Sequence, residues 1–461
     1  MCELSDLNDQ QQQEHRLDPN DTWFETFKSI AWHGGSAFDA WLNATSAQIA
    51  QVLLTFPYSF AQLGLASGIV FQVLYGFMGC WTCYMITSLY ADYRAAKEKE
   101  NPKAFENHTI QWYEVLGGLL GPYWRAAGIF FNTVLLFCTA TIQVIACGST
   151  VYYIKDSLPK RTWTIIFGAC CLVTVLIPSA HNYRVLSFSG ILMTTYTAWY
   201  LTITAVIHGK DPDVTHSGAK NVVQYFTGAT NILYAFGSTV TVEIMHAMWK
   251  PRKFKLVYLY AIVYIFTLTL PSAIAVYWRF GDKMLDNANA FAVFPKTKFR
   301  DAAVILMLMH QFIQFGLISL PIFIIWEKFV GVHHSKYYVL RAIARIPVVL
   351  ATWFIAIMIP FFGPINSAVG SLLVTFSVYL IPCSAHMVAN FKSTARKAAI
   401  EQPPTWILRS WTLVYLLNSF ITVWVLIVGF GFGVYASVRN LVDQIDSFGL
   451  FARCYQCTRK C

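Results

Sequence analysis

Inside the apolar stretch 42–65, the side chains Gln48, Gln51, Thr55, Tyr58 and Gln62 recur in steps of three and four, which places them along one face of a helix. Hydrocarbon satisfies no amide, so such a face must turn to protein or to water. The residues admit two readings: hydrogen bonds that hold a helix bundle together, or the lining of a path for a polar solute. The run Thr55-Phe56-Pro57-Tyr58-Ser59 favours the path, because proline interrupts the helical ladder there. A second apolar stretch, 226–249, is interrupted in the same way at Gly237-Ser238-Thr239. Non-helical backbone is tolerated at membrane depth only where it is buried in protein or lines a cavity. Matching breaks in two stretches therefore point to a transporter's binding site.

The direction of the two stretches adds chemistry. The half-helix that begins at Tyr58-Ser59-Phe60 and the one that begins near Val240 both present N-termini to the middle of the protein. Their positive dipole ends favour an anionic group, a carboxylate above all. No Arg or Lys is expected deep in any span, so these amides, with Ser59, Ser238 and Thr239, are the expected anion partners. Glu243 lies four residues past the second break and is the one carboxylate expected well inside a span. It suits a proton carrier or a cation-paired gate, and the two roles are compatible. His246, one turn on, titrates in the useful range. Gln143, and Gln311 with Gln314 at i, i+3 beside His310, supply further amides that serve either a cavity or interhelical bonding. Phe56, Tyr58, Tyr234 and Phe236 form either a flat apolar slot for a ring or ordinary packing.

Enzyme chemistry is poorly supplied. Cys80 and Cys83 stand in an apolar run without a partner cluster, and Cys454, Cys457 and Cys461 lack a fourth ligand. That composition argues against zinc and leaves a disulfide or free thiols. No glycine-rich phosphate loop is present, so an ion gradient is the expected driving force. No metal or other cofactor is expected. A membrane acyltransferase with His33 or His181 as base would need a paired nucleophile or acid that the sequence does not offer.

The elements that must position these residues are helices in a membrane. Hydrophobic residues make up 56% and charged residues 13%, against roughly 25% charged in soluble domains. Aromatics, at 16%, suit interfacial anchoring. The net charge of +10 fits Lys and Arg gathered in loops, and no nucleic-acid partner is expected. Apolar runs of about 20 residues fall near 42–65, 66–91, 123–154, 161–179, 184–208, 226–249, 255–279, 301–327, 343–361, 364–388 and 411–437, which makes eleven expected spans. The first two meet in a tight turn at Gly64–Gly68. The segment 1–40 reads as a partly disordered cytoplasmic tail without a cleavable signal, 41–437 as the membrane domain, and 438–461 as an extracellular tail. Basic clusters at Arg94–Lys103, Lys250–Lys255 and Lys392–Arg409 place those loops in the cytoplasm, where they offer surfaces to trafficking partners. The loop 280–300 is basic on the outer side against this rule. The sequons at Asn20, Asn43 and Asn107 fall on the cytoplasmic side and are read as unused. His108–Trp124 reads as an amphipathic helix at the inner surface.

The motifs can now be set beside a known pattern. Trp32-His-Gly-Gly-Ser36, Gln51-Val-Leu-Leu-Thr-Phe-Pro-Tyr-Ser-Phe60, Tyr225-Phe-Thr-Gly-Ala-Thr-Asn231-Ile-Leu-Tyr234 and Val240-Thr-Val-Glu-Ile-Met-His-Ala-Met-Trp-Lys-Pro251 closely resemble the plant auxin influx carriers of the amino acid/auxin permease family. So do Arg300-Asp-Ala-Ala-Val-Ile-Leu-Met-Leu-Met-His-Gln311, Phe361-Phe-Gly-Pro-Ile-Asn-Ser-Ala-Val-Gly370 and Phe448-Gly-Leu-Phe-Ala-Arg-Cys-Tyr-Gln-Cys457. The resemblance implies an all-α integral membrane protein of leucine-transporter type, with spans 1–5 and 6–10 as inverted repeats plus one further helix. It implies a proton-driven symporter of the plasma membrane that imports indole-3-acetic acid, with a proton–amino-acid symporter as the rival of the same class and a non-transporting receptor as a third. Asn231 enters the expected binding set through its motif. One departure stands at the second break. The family pattern reads Phe-Gly-Gly-His-Ala before Val-Thr-Val-Glu, whereas this chain reads Phe236-Gly237-Ser238-Thr239 before Val240, one residue shorter and without the histidine.

Overall fold

A computed structural model describes residues 35–49, 51–101, 109–176, 183–237, 240–333, 335–404 and 410–457. Residues 1–34 of the expected N-terminal segment, which hold Asn20 and His33, and Asn107, His181, Ser238, Thr239 and Cys461 lie outside those residues. Among the described residues the regular structure is helical throughout.

Among the described residues, eight helices are long and apolar enough to cross a membrane. In chain order with their shorter neighbours, α1 is Ala37–Ile49, α2 Val52–Leu63, α3 Leu65–Glu100, α4 Trp112–Leu120 and α5 Pro122–Tyr152. Next come α6 Lys160–Cys171, α7 Tyr183–Ile207, α8 Val222–Ala235, α9 Thr241–His246 and α10 Phe254–Phe280. The set closes with α11 Lys298–Val330, α12 Tyr338–Met358, α13 Pro364–Ala389 and α14 Trp411–Phe448. Three of the expected spans are each divided: the first into α1 and α2, the fourth into α6 and a 3₁₀ turn at Leu172–Leu176, and the sixth into α8 and α9. The last helix runs on to Phe448, past the expected limit at 437.

The turn between α2 and α3 is one residue, Gly64, at φ +83°. A side chain would be strained there, so glycine alone permits so tight a reversal. The segment expected to be amphipathic forms α4, with Trp112, Tyr113, Val115 and Leu116 turned into the protein. Its Glu114 pairs with Lys328 of α11 at 3.0 Å.

The interior is unusually polar for its hydrophobic composition. Gln51, Gln72, Gln111, Gln143, Gln311, Gln314 and Asn366 are all buried, and apolar residues such as Val185, Leu192, Ile203 and Phe420 face outward. That inversion is the signature of a chain whose solvent is lipid.

Near the ends of their spans, Arg345 and Glu327 are both fully buried in the protein, and Glu327 is the most buried carboxylate among the described residues. Arg345 Nε donates to Glu327 at 2.7 Å, Arg341 Nη2 at 2.9 Å, and His333 Nδ1 lies 2.9 Å away. Arg345 also donates to the carbonyl of Val175 at 3.0 Å, tying α12 to the end of the α6 segment. The pairing between α11 and α12 lets both charges leave water, which neither could do alone.

Beyond α14 the chain folds back over its own helices. Phe451 N–H donates to Met358 O at 3.0 Å, Arg161 Nη1 to Phe451 O at 3.0 Å, and Lys160 Nζ to Gln456 O at 2.8 Å. Cys454 and Cys457 are joined in a disulfide, which resolves the alternative left open by the sequence.

Candidate functional site

Both breaks are present, and the first is displaced from its expected place. The helix is not interrupted at residues 55–59, since α2 carries Pro57 within it; among the described residues the interruption is the turn at Gln51, just before Val52. Proline lacks one donor, and its ring clashes only with the preceding turn. In the second turn of a short helix, packed on α8 and α10, that cost is absorbed without unwinding. The N-terminus that opens to the interior therefore belongs to Val52 and Leu53, not to Tyr58, Ser59 and Phe60. The second break lies where expected, between Ala235 and Thr241.

The two breaks face one cavity. Ala47, Gln48, Gln51 and Val52 line it from the first, Tyr234, Ala235 and Gly237 from the second, and Thr139 and Gln143 from α5. Gln143 Nε2 donates to Gln51 Oε1 at 2.5 Å, and Gln51 Nε2 donates to the Tyr234 hydroxyl at 3.0 Å. This relay crosses from α5 through the first break to the second. Gln48 donates to Tyr258, whose hydroxyl donates to Phe236 O at 3.4 Å. The Oε1 atoms of Gln48 and Gln143 are buried without a partner, so the cavity wall carries two open acceptors. Its volume, about 20 Å³, holds about one water. A solute with a ring requires the walls to part.

The other expected residues fall around this centre. Thr55 donates to Val52 O at 3.2 Å, and Ser59 donates to Thr55 O at 3.2 Å while accepting from Asn231 Nδ2 at 2.5 Å. Ser59 and Asn231 thus lock α2 to α8 and do not line the cavity. Tyr58 is buried on α2, with its ring near Gly363 at the start of α13. Gln314 Nε2 donates to Ser46 Oγ at 2.7 Å, and Gln311 is buried with neither side-chain polar atom paired. Glu243 is half-buried, with Oε1 unpartnered, and it interacts electrostatically with Glu114 of α4. His246 Nδ1 lies 3.3 Å from the Tyr90 hydroxyl on α3. Phe56 packs near Phe236 with ring centroids 6.2 Å apart, an aromatic pair bridging the two broken spans.

Sequence reasoning left Thr139 out of the site. The signal was present, because Thr139 stands one turn before Gln143 on the same helix face. Gln48 was read as part of the polar face but not as a site residue, since nothing in the sequence separates a cavity-lining amide from one bonded to a neighbouring helix. Among the described residues no cluster of metal-binding side chains occurs.

Comparison with known proteins places this geometry. The family model described as transmembrane amino acid transporter protein matches residues 33–428. Auxin transporter protein 1 of Arabidopsis thaliana is 62% identical over 430 residues, covering 93% of this chain and 88% of that protein. Auxin transporter-like protein 1 of the same plant is 62% identical over 433 residues, covering 94% and 88%. Auxin transporter-like protein 1 of Medicago truncatula is 59% identical over 459 residues, covering 99% and 95%. Among solved structures, MhsT in complex with L-phenylalanine aligns with a TM-score of 0.61 at 13% identity, over 85% of this chain and 98% of that one. The likeness shows the fold, an all-α bundle of leucine-transporter type. The family, the relatives and the fold are those of transporters and not of enzymes.

Proposed function

The chain belongs to the transmembrane amino acid transporter family and, within it, to the auxin transporters, and from that membership we propose that it imports auxin, as indole-3-acetate, driven by protons. The observation that carries the cargo is the identity of about 60% to auxin transporters over nearly the whole chain. The geometry supports the mechanism. An anion entering the cavity meets the first-turn amides of α2 at Val52, which have no intrahelical partners, and the positive end of that helix. Gln48 Oε1 and Gln143 Oε1 stand ready to accept an indole N–H, and Phe56 and Phe236 flank the breaks with apolar rings. Ser238 and Thr239, at the second break, complete the anion partners in this reading.

A cavity of about 20 Å³ must widen to take cargo, and alternating access supplies that opening. The breaks let α1 and α9 swing about their partner halves, opening one side as the other shuts. Glu243 and His246 lie past the second break on the route to α4 and α3, and we assign them to release of the proton on the inner side. The basic loops support a cytoplasmic N-terminus and an outer C-terminal segment, and we read the membrane as the plasma membrane and the inner loops as surfaces for trafficking partners. Uptake of labelled indole-3-acetate into proteoliposomes with acid outside tests the proposal. No accumulation beyond empty vesicles, or accumulation indifferent to the pH gradient, overturns it; competition by excess neutral amino acids would favour amino-acid symport instead.

A further inference from the structure

His310 is fully buried, and neither ring nitrogen has a hydrogen-bond partner. An unpaired buried polar group is costly, so two on one ring call for an explanation. The ring sits at the crossing of α11 with α7 and α1. A Cβ placed on Gly190 of α7 would lie 2.7 Å from His310 Nδ1 and 2.9 Å from Ser46 Oγ. Glycine at 190 is thus what lets the imidazole and the Ser46 hydroxyl share one recess. Ser46 is held there by Gln314 at 2.7 Å, while Gln314 Oε1 and both polar atoms of Gln311 are buried and unpaired. Unpaired polar atoms thus cluster on this part of α11, at His310 and its chain neighbours Gln311 and Gln314.

Among the described residues, the charged groups of the helices around α11 are engaged elsewhere, and on α7 the Tyr200 hydroxyl is buried without a partner. On α1, Asp39 accepts from the Gly35 amide at 3.1 Å. On α12, Arg341 and Arg345 hold Glu327. On α6, Lys160 and Arg161 bind the C-terminal carbonyls, and Cys171 is a buried thiol, as is Cys147 of α5. On α7, Tyr196 donates to Phe299 O at 3.3 Å. No charged group acts on the imidazole.

We propose that His310 is the site that holds the co-transported proton while the cargo is bound, in a recess it shares with the Ser46 hydroxyl that Gln314 holds in place. The proposal rests on the reading of the cargo as an anion. Helix α1 carries both ends of the linkage: Ser46 meets the His310 recess, and the next two residues, Ala47 and Gln48, line the cargo cavity. The free lone pair of the neutral ring accepts a proton from water, the ring gains one positive charge, and the cargo carboxylate brings one negative charge. The loaded protein is then electrically balanced at mid-membrane, which neither ligand achieves alone. Each ligand strengthens the binding of the other by the same factor.

The experiment uses the purified full-length chain in weakly buffered detergent, with labelled indole-3-acetate as the probe and an indicator dye for protons. The wild type is expected to take up on the order of one proton per anion bound. His310→Gln is expected to abolish that uptake while still binding indole-3-acetate more weakly. Gly190→Ala keeps the imidazole but crowds Nδ1, so it should move the pH midpoint of proton uptake even if His310→Gln does not fold. Undiminished uptake in His310→Gln, or an unmoved midpoint in Gly190→Ala, overturns the assignment. Binding by the wild type without proton uptake overturns it too, and leaves the cargo reading intact. Absence of indole-3-acetate binding removes the cargo reading, and this assignment with it.

Discussion

Gln51 and Tyr234 join the two broken spans across the central cavity, the amide donating to the phenol at 3.0 Å. Each sits at the edge of a break: Gln51 just before α2, Tyr234 in the last turn of α8. The bond closes a relay that starts at Gln143 on α5. Cargo between the breaks must compete with it or be built into it.

Tyr234→Phe keeps the ring and removes the hydroxyl that Gln51 uses. A neutral hydrogen bond is worth about 0.5–1.5 kcal/mol, so binding of indole-3-acetate should weaken by about 2–10-fold, while the fold and the melting temperature hold. Equilibrium binding and a melting curve on the same preparation check this. Unchanged binding would place the cargo away from the relay.

Removing Gln143 tests the open acceptor. Gln143→Leu fills a similar volume, deletes the donor to Gln51 and removes the unpaired Oε1. If that oxygen accepts the indole N–H, an analogue whose ring nitrogen is methylated should bind wild type and variant alike, while indole-3-acetate should prefer the wild type. Equal losses for both ligands would argue that Gln143 acts only by holding Gln51.

Ser59 and Asn231 serve a different end. Their 2.5 Å bond fastens α2 to α8 away from the cavity. Asn231→Ala removes the bond between α8 and α2 while Ser59 keeps its own bond to Thr55 O, and it should lower stability by about 0.5–1.5 kcal/mol, read as a lower melting temperature, with a smaller effect on cargo affinity than Tyr234→Phe. The reverse order of effects would return Asn231 to the binding site.

The Glu327 cluster should be the costliest to disturb. Arg345→Met strands a fully buried carboxylate with Arg341 and His333 as its remaining partners, and breaking a buried pair costs about 3–5 kcal/mol. Arg345→Met with Glu327→Leu removes both charges and should recover part of that loss. Detergent melting curves of the single and double variants provide the comparison; a double variant no better than the single would show that Arg341 and His333 need the carboxylate as much as Arg345 does.

Glu243→Gln separates binding from turnover. With Glu243 placed on the exit route beside Glu114, the variant should bind indole-3-acetate nearly as the wild type does and lose most gradient-driven accumulation. Measuring counterflow alongside net uptake distinguishes slow proton release from weak binding. An equal loss of binding and of accumulation would count against a role in release.

Much of the architecture was legible in the chain. Apolar runs of span length, the polar face from Gln48 to Gln62 and the break at residues 237–239 follow from local composition and period, which a membrane enforces strictly because no water is available to correct a misplaced amide. The break assigned to Pro57 was misread for a local reason: proline in the second turn of a helix costs one donor, and tertiary packing of α2 against α8 and α10 outweighs it. Asn231 was gathered with the binding residues because its motif runs through the broken span, yet its side chain points to Ser59. Which way a helix face turns is set by its neighbours.

Sequence alone determined that this chain crosses a membrane, that two of its spans are broken, and that polar side chains must meet inside, since helix period and the cost of burying amides in hydrocarbon are properties of the local chain. Only the tertiary structure decided which amides meet. Gln51 found Tyr234, Arg345 found Glu327, and His310 found no partner at all. Those outcomes depend on the rotation and depth of helices far apart in sequence, fixed by the packing of the whole bundle at once.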